Sequence, residues 1–412
     1  MGYLRRSLVI SALVGNALRP SRGPRSGVPS FFAGWLTDEL APHLLGLIAV
    51  DTGLSVVRGR VGRLGLLAAG ASAAGLAYKM KQSQRSQQVA EDALVEGLGA
   101  YVERLDAAPT PAELATPWRQ VARPFRFPEP GVRVERDVVF TDYGKRGHLD
   151  ILRPDIDDLA GAPVLLQVHG GAWTVGRKDQ QGQPLMYRMA RKGWICVAIN
   201  YRLAPRDYFP AQILDVKAAL AWIKEHIADY GGDPSYVAIT GGSAGGHLAA
   251  LAALTPNAPE WQPGFEDVDT SVQAAVPFYG VYDFAGSTGL RSAELMRDGF
   301  LAPRVLKRKF ADDPAAFEAA SPILRITDQA PDFFVLHGAN DTLVDVGQAR
   351  LFVDRLRQVS RNKVAYAEFP GAQHAFDIFH SIRGAHSIRA VDRFLTWSWN
   401  THRSADRAQV HA

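Results

Sequence analysis

From residue 132 onward the chain alternates between short runs rich in β-branched and aromatic residues and longer stretches of helical periodicity. VRVERDVVF and GHLDILRP read as consecutive strands. PVLLQVHG (163–170), WICVAINY (194–201), SYVAITG (235–241), VQAAVPFYG (272–280), PDFFVLHG (331–338) and KVAYAEFPG (363–371) follow. Helical stretches separate most of them, and AQILDVKAALAWIKEHIADY (211–230) is ended by Gly231 and Gly232. Apolar strands joined by helices predict an α/β fold, a mostly parallel sheet covered by helices on both faces. Residues 132–400 are expected to form this domain, with 283–330 as an excursion from the sheet and 401–412 as a polar tail. HSIRGAHSIR (380–389) repeats a tetrapeptide, which one helix with a mixed surface explains.

The segments before it differ. Residues 1–89 carry eleven Arg or Lys against Asp38, Glu39 and Asp51, so +8 of the chain's formal +4 sits here and the remainder sums to −4. Because this basic segment is apolar, it favours an anionic lipid surface over nucleic acid. The first thirty residues begin like a secretory signal, but no small-residue cleavage site follows. APHLLGLIAVDTGLSVV (41–57) and LGLLAAGASAAGLAY (64–78) each fall short of a comfortable bilayer crossing. They predict a helical hairpin, packed on the protein or associated with a membrane, so the location is membrane-associated or cytoplasmic. KQSQRSQQ (81–88) reads as a polar linker, and the hairpin before it as dispensable for chemistry. EDALVEGLGAYVERL places Ala93, Leu94, Leu98, Tyr101, Val102 and Leu105 on one helical face. Thr110, Pro111 and Glu113 form a capping-box start. Residues 90–131 are therefore expected to be a helical cap or linker. The lone cysteine, Cys196, lies in an apolar run and reads as a buried core thiol. Without paired-cysteine zinc spacing, GxxxxGK[ST] or HExxH, neither a metal nor another cofactor is expected.

TGGSAGGHLAA (240–250) surrounds one serine, Ser243, with Gly241, Gly242, Gly245 and Gly246 between a strand and an apolar helix. Gly241–Gly245 matches G-x-S-x-G in the strand–turn–helix setting of a nucleophile elbow, where a strained turn needs small neighbours. The serine needs a base. His374, in FPGAQHAF after the last strand, is expected to fill that role. His247 faces the wrong way on the nucleophile helix, and His337, at a strand end, reads as structural. LHGANDTLVD (336–345) presents Asp341 on the first loop after its strand as the acid, with Asp345 and Asp377 as competitors. The order Ser243, Asp341, His374 is that of this elbow. QVHGGAW (167–173) ends a strand with His169, Gly170, Gly171, Ala172 and Trp173. Backbone N–H groups there, with that of Ala244, would form an oxyanion hole, and Trp173 is a candidate for substrate binding.

HGGAW, NYRLAP (200–205), GGSAGGHLAA, HGANDTLV and GAQHAF together resemble the α/β-hydrolase carboxylesterases of the hormone-sensitive-lipase-like group, over about residues 132–400. The resemblance implies a Ser243–Asp341–His374 triad with Gly170, Gly171 and Ala244 at or beside the oxyanion hole, and a cap formed by elements before the core. The activity implied is hydrolysis of a small-molecule or lipid ester through an acyl-enzyme. Two positions depart from the pattern. Ala172 replaces the third oxyanion-loop glycine, and its methyl would disfavour esters of tertiary alcohols. Gly242 precedes the serine where many relatives have an acid. The HGG-x-W form is also similar to kynurenine formamidase and feruloyl-type esterases, so an arylformamidase-like amide hydrolase is the alternative. A catalytically silent, membrane-tethered binding protein is another.

Overall fold

The computed structural model describes residues 1–410 apart from residue 24, with side chains through residue 405. Four helices come first: α1 (Tyr3–Leu18), α2 (Gly27–Glu39), α3 (Ala41–Val57) and α4 (Arg63–Leu98). The hairpin expected from the sequence is formed by α3 and the start of α4. The linker expected at 81–88 is absent, because α4 runs unbroken through it and through the boundary expected at residue 89. No glycine or proline interrupts that stretch, and Ser83 and Ser86 are buried. Their small side chains suit a helix that crosses the sheet edge closely. A Cβ added at Gly97 would stand 2.6 Å from Ala365 Cα.

Two one-turn helices follow, α5 (Pro111–Leu114) and α6 (Trp118–Val121). Thr110 and Glu113 form the expected capping box, with Glu113 N–H donating to Thr110 Oγ1 at 3.3 Å and Thr110 N–H to Glu113 Oε2 at 3.0 Å.

The sheet has eight strands: β1 (Val132–Val139), β2 (His148–Pro154), β3 (Ala162–Val168), β4 (Ile195–Ile199), β5 (Gly232–Gly242), β6 (Ala274–Phe278), β7 (Asp332–Gly338) and β8 (Val364–Phe369). Their order is β1-β2-β4-β3-β5-β6-β7-β8. The first two pairings are antiparallel and the other five parallel. Every residue of β3 and β4 is buried, as strands covered on both faces require. Helices α7 (Gln183–Arg191), α8 (Ala211–His226) and α9 (Ala244–Leu254) follow β3, β4 and β5. The excursion after β6 contains α10 (Arg291–Met296), a π-helical turn at Arg297–Leu306 and α11 (Pro314–Ala319). α12 (Val346–Val359) and α13 (Ile382–Val410) complete the fold. The expected polar tail is thus, through residue 410, the end of α13.

Two apolar clusters flank the sheet. One packs Ile213, Leu220, Leu248, Leu251 and Phe352 from α8, α9 and α12 on one face. The other packs Ala90, Leu94, Met186, Met189 and Phe394 from α4, α7 and α13 on the opposite face. Cys196 belongs to the second cluster and is buried. α4 is therefore part of the domain's layering and not an appendage. Residues 101–121 do not lie over the carboxyl ends of the strands as a cap would. They run along α13, where Thr116 Oγ1 meets His386 Nε2 at 3.2 Å and Arg389 donates to Glu113 O at 2.5 Å. The helix over the carboxyl ends is α2.

Candidate active site

β5 ends at Gly242 and α9 begins at Ala244, so Ser243 alone makes the turn. Its φ of 58° and ψ of −119° lie where few non-glycine residues go, a strain of about 1–3 kcal/mol held by the surrounding packing. Ser243 N–H donates to Phe278 O at 3.0 Å, which ties the elbow to β6. The flanking glycines are required by close approach. A Cβ at Gly245 would stand 2.1 Å from Val168 O, and one at Gly242 would stand 2.7 Å from Tyr279 Oη. Tyr279 thus occupies the space beside the nucleophile's predecessor, where an acidic side chain would otherwise project.

His374 Nδ1 meets Asp341 Oδ2 at 2.6 Å. The other carboxylate oxygen accepts Leu343 N–H at 2.8 Å and Val344 N–H at 2.9 Å. Burial raises the Asp341 pKa, but the charge of His374 and hydrogen bonds from His337 and His374 outweigh it and hold the carboxyl well below its ordinary value. The competitors have other tasks. Asp345 caps α12, accepting Gly347 N–H at 2.8 Å. Asp377 accepts the Tyr279 hydroxyl, and burial pushes its pKa up to about 6. The Tyr279 ring lies 4.4 Å from the His374 ring, so nucleophile turn and imidazole converge on one tyrosine. His374 Nε2 is buried and has no hydrogen-bond partner among the described residues.

Three histidines near the site have structural partners. His247 Nδ1 accepts the Trp173 indole N–H at 3.2 Å while its Nε2 meets Ala320 O at 2.8 Å, and burial pushes its pKa down to about 3. His337 Nε2 meets Val344 O at 3.1 Å, and His169 stacks on Tyr201 at 4.2 Å.

In the HGGAW loop, Gly171, Ala172 and Trp173 all have positive φ, and the N–H groups of Thr174 and Val175 fold back on Gly171 O at 3.0 Å each. Two expectations need correction. Gly170 N–H donates to Gln181 Oε1 at 2.7 Å, so that donor is committed and cannot serve an oxyanion. Trp173 is buried among Phe284 and His247 with its N–H already bonded, so it supports the loop from beneath and does not present a substrate surface. Ala244 stands at the first turn of α9, where N–H groups lack intrahelical acceptors. Gln181 went unnoticed in the sequence, since a glutamine in a loop carries no local mark of its partner.

α2 adds residues from far away in the chain. The Phe31 ring stands edge-on to His374 at 5.8 Å and stacks on Trp35 at 5.5 Å, which in turn meets Phe379 at 5.5 Å. Thr342 Oγ1 donates to Gly27 O at 2.9 Å, Arg22 donates to Ala339 O at 2.8 Å, and Gly34 packs against the Gln373 side chain. At the other end Glu39 forms a buried ion pair with Arg383 and accepts Ser381 Oγ at 2.5 Å. Beside it Lys79 contacts Asp38 at 3.0 Å and donates to Gly371 O at 2.7 Å, three residues before His374. A cavity of about 490 Å³ lies at the amino ends of β3 and β4, lined by Pro163, Lys192, Trp194 and Asp392 among others. Ligands of parallel sheets bind at the carboxyl ends, where Ser243 and His374 are. Among the described residues no group of three or more His, Cys, Asp or Glu could hold a metal ion.

A serine elbow after the fifth strand, a carboxylate–histidine pair after the seventh and eighth, and a glycine-bearing loop after the third define an α/β-hydrolase esterase. The BD-FAE profile matches residues 149–356, and the chain belongs to that family. It is 46% identical over 413 residues to a Mycobacterium tuberculosis protein named Probable carboxylic ester hydrolase LipM, covering 96% of this chain and 93% of that one. Esterase LipQ of the same organism is 42% identical over 368 residues, 88% of this chain and 84% of its own. Among solved structures, butyrate-bound esterase Est2 of Thermogutta terrifontis aligns with a TM-score of 0.54 at 25% identity, covering 65% of this chain and 94% of that one. The protein is an enzyme, a serine carboxylesterase.

Proposed function

We propose that Ser243, His374 and Asp341 carry the hydrolysis. His374 Nε2 takes the proton of Ser243 Oγ as the oxygen attacks the ester carbonyl, and Asp341 fixes the tautomer and stabilises the imidazolium. The N–H groups of Gly171, Ala172 and Ala244 hold the oxyanion. The histidine returns its proton to the departing alcohol, leaving an acyl-enzyme that water cleaves to the acid. The observation that carries this reading is the His374–Asp341 bond of 2.6 Å on an imidazole whose other nitrogen is left unpartnered. The names of LipM and LipQ support an ester over a formamide as the scissile group. A fluorophosphonate probe should add its mass to the peptide containing Ser243 and abolish ester turnover. Labelling of any other serine with loss of activity would overturn the assignment.

A second proposal concerns where the enzyme works: the N-terminal helices bring it to an anionic membrane surface. No single described helix is long and apolar enough to cross a membrane, but α2 and α3 together pass that test across an 80° bend. Leu47, Val50, Leu54 and Val57 form an exposed stripe on α3, and Arg58, Arg60 and Arg63 are exposed beyond its end. Exposed apolar side chains followed by arginines suit the boundary between acyl chains and anionic headgroups. The natural substrate would then be a lipid ester. Sedimentation with anionic vesicles, compared with neutral ones, tests the claim, and absence of the protein from both pellets would remove it.

A further inference from the structure

α2 has two faces with different surroundings. Phe31, Trp35 and Asp38, spaced at i, i+4 and i+7, point inward, with Phe31 against His374. Val28, Phe32 and Leu36, spaced at i, i+4 and i+8, are 53%, 55% and 41% exposed on the other side. The two rows are joined by ring contact, since Phe31 and Phe32 stand 4.8 Å apart. The helix is pinned at both ends, by Thr342 and Arg22 at one and by Arg383, Ser381 and Lys79 at the other. It is a fixed wall and not a mobile lid. Within that wall the Trp35 indole N–H is buried without a partner among the described residues. An unpaired buried donor is unfavourable, and a ligand oxygen beside it would satisfy it.

We propose that α2 is a wall shared by the active site and the bilayer: Phe31 and Trp35 line the acyl side of the site, while Val28, Phe32 and Leu36 sit among lipid. The ester hydrolysed is accordingly a long-chain acyl ester taken from the membrane without crossing bulk water. This rests on Ser243 and His374 being the reacting pair. The geometry matters because α2 lies outside residues 149–356, the stretch the family profile describes. Chain-length selectivity is thus supplied by an element added to the common fold. The bilayer is the occupant chosen for the outer face for two reasons. Its exposed residues, Val28, Pro29, Phe32 and Leu36, are all apolar, and α3, which follows across an 80° bend, carries further exposed apolar side chains and ends at the exposed Arg58, Arg60 and Arg63.

The test uses full-length protein, vesicles of phosphatidylcholine and phosphatidylglycerol, and p-nitrophenyl acetate and decanoate. Phe31→Ala should lower the decanoate-to-acetate ratio of kcat/KM about tenfold, the scale of losing one large apolar contact. Phe31→Leu should restore most of that ratio. An unchanged ratio in both variants would overturn the wall. Leu36→Asp/Leu54→Asp, both on exposed positions, should lower vesicle binding about tenfold, as removing apolar burial and adding charge does. Cleavage of a long-chain ester dispersed in those vesicles should fall with it, and acetate turnover should persist. Vesicle binding equal to wild type would overturn the membrane face. Failure of the underlying reading is seen separately, as acetate turnover surviving in Ser243→Ala.

Discussion

The sheet and the first four helices solve burial in opposite ways. Around the sheet, β3, β4 and the helices α8 and α9 bury almost every apolar side chain. Phe31 and the second half of α4 join the core under the sheet, but elsewhere the first four helices share among the described residues one small cluster, Tyr3, Val14, Ala41, Ile48, Ala69 and Leu76. Of 28 large apolar side chains exposed among the described residues, 17 lie in residues 1–78. A soluble surface rarely concentrates them so. Yet the same helices donate Phe31, Glu39 and Lys79 to the neighbourhood of His374. The contrast teaches that exposed apolar surface and participation in the site can belong to one element.

The sharpest way to separate the regions is to remove the chemistry and leave both intact. Ser243→Ala should cost on the order of 10⁴ or more in kcat, measured on a soluble ester, with the thermal midpoint nearly unchanged. Asp341→Asn should cost about 10⁴, because the amide favours the wrong imidazole tautomer. Asp345→Asn should leave kcat within about twofold of wild type, since Asn also caps helices well. The opposite ranking would move the acid to the cap of α12.

The outer region can be broken from the sheet at its buried charges. Glu39→Ala strands the Arg383 guanidinium without its carboxylate and should destabilise by about 3–5 kcal/mol, measured by urea unfolding. A chain beginning at Gln88 loses Glu39, Lys79 and Phe31 together and should fail to fold to an active form. The sequence pointed the other way, to a dispensable hairpin. Active, soluble enzyme from that truncation would restore the simpler view.

A smaller effect joins the two regions electrostatically. Tyr279, His374 and Glu39 all face Asp377, whose pKa burial lifts to about 6 from 3.8. A carboxyl raised by folding contributes stability that is full below about pH 3.8 and is lost as pH rises through about 6. Asp377→Asn should therefore gain on wild type in thermal midpoint as pH climbs from 4 to 7, then run parallel to it. Smallest of all, Val57→Ser should change stability by under about 0.5 kcal/mol, because the side chain is 86% exposed. A large loss there would mean that the outer stripe is already covered by protein.

What could be read in advance follows the same division. The strands and the elbow were legible because β-branched runs and glycine crowding act over a few residues, and β5 with Ser243 fell where the pattern put them. Asp341 stood out as a strand-end residue, and its carboxylate lies against His374 Nδ1 at 2.6 Å. Residue 31 against residue 374 leaves no such trace, nor does Gln181 on Gly170. Trp173 was misjudged for a related reason. An aromatic beside an oxyanion loop can face substrate or core, and only His247 and Phe284 decide which. KQSQRSQQ misled because serines that allow close helix packing look, by composition, like serines in a linker.

The bond from Lys79 to Gly371 spans 292 residues, and the Glu39–Arg383 pair spans 344. Both join the first part of the chain to the last. On a ribosome adding about 5–20 residues per second, Lys79 and Glu39 emerge roughly 15–70 seconds before Gly371 and Arg383. Until then Lys79 and Glu39 have no Gly371 or Arg383 to meet, and the His374 loop does not yet exist. The wall that α2 and α4 make beside His374 can therefore close only after residues 371–383 have been synthesised.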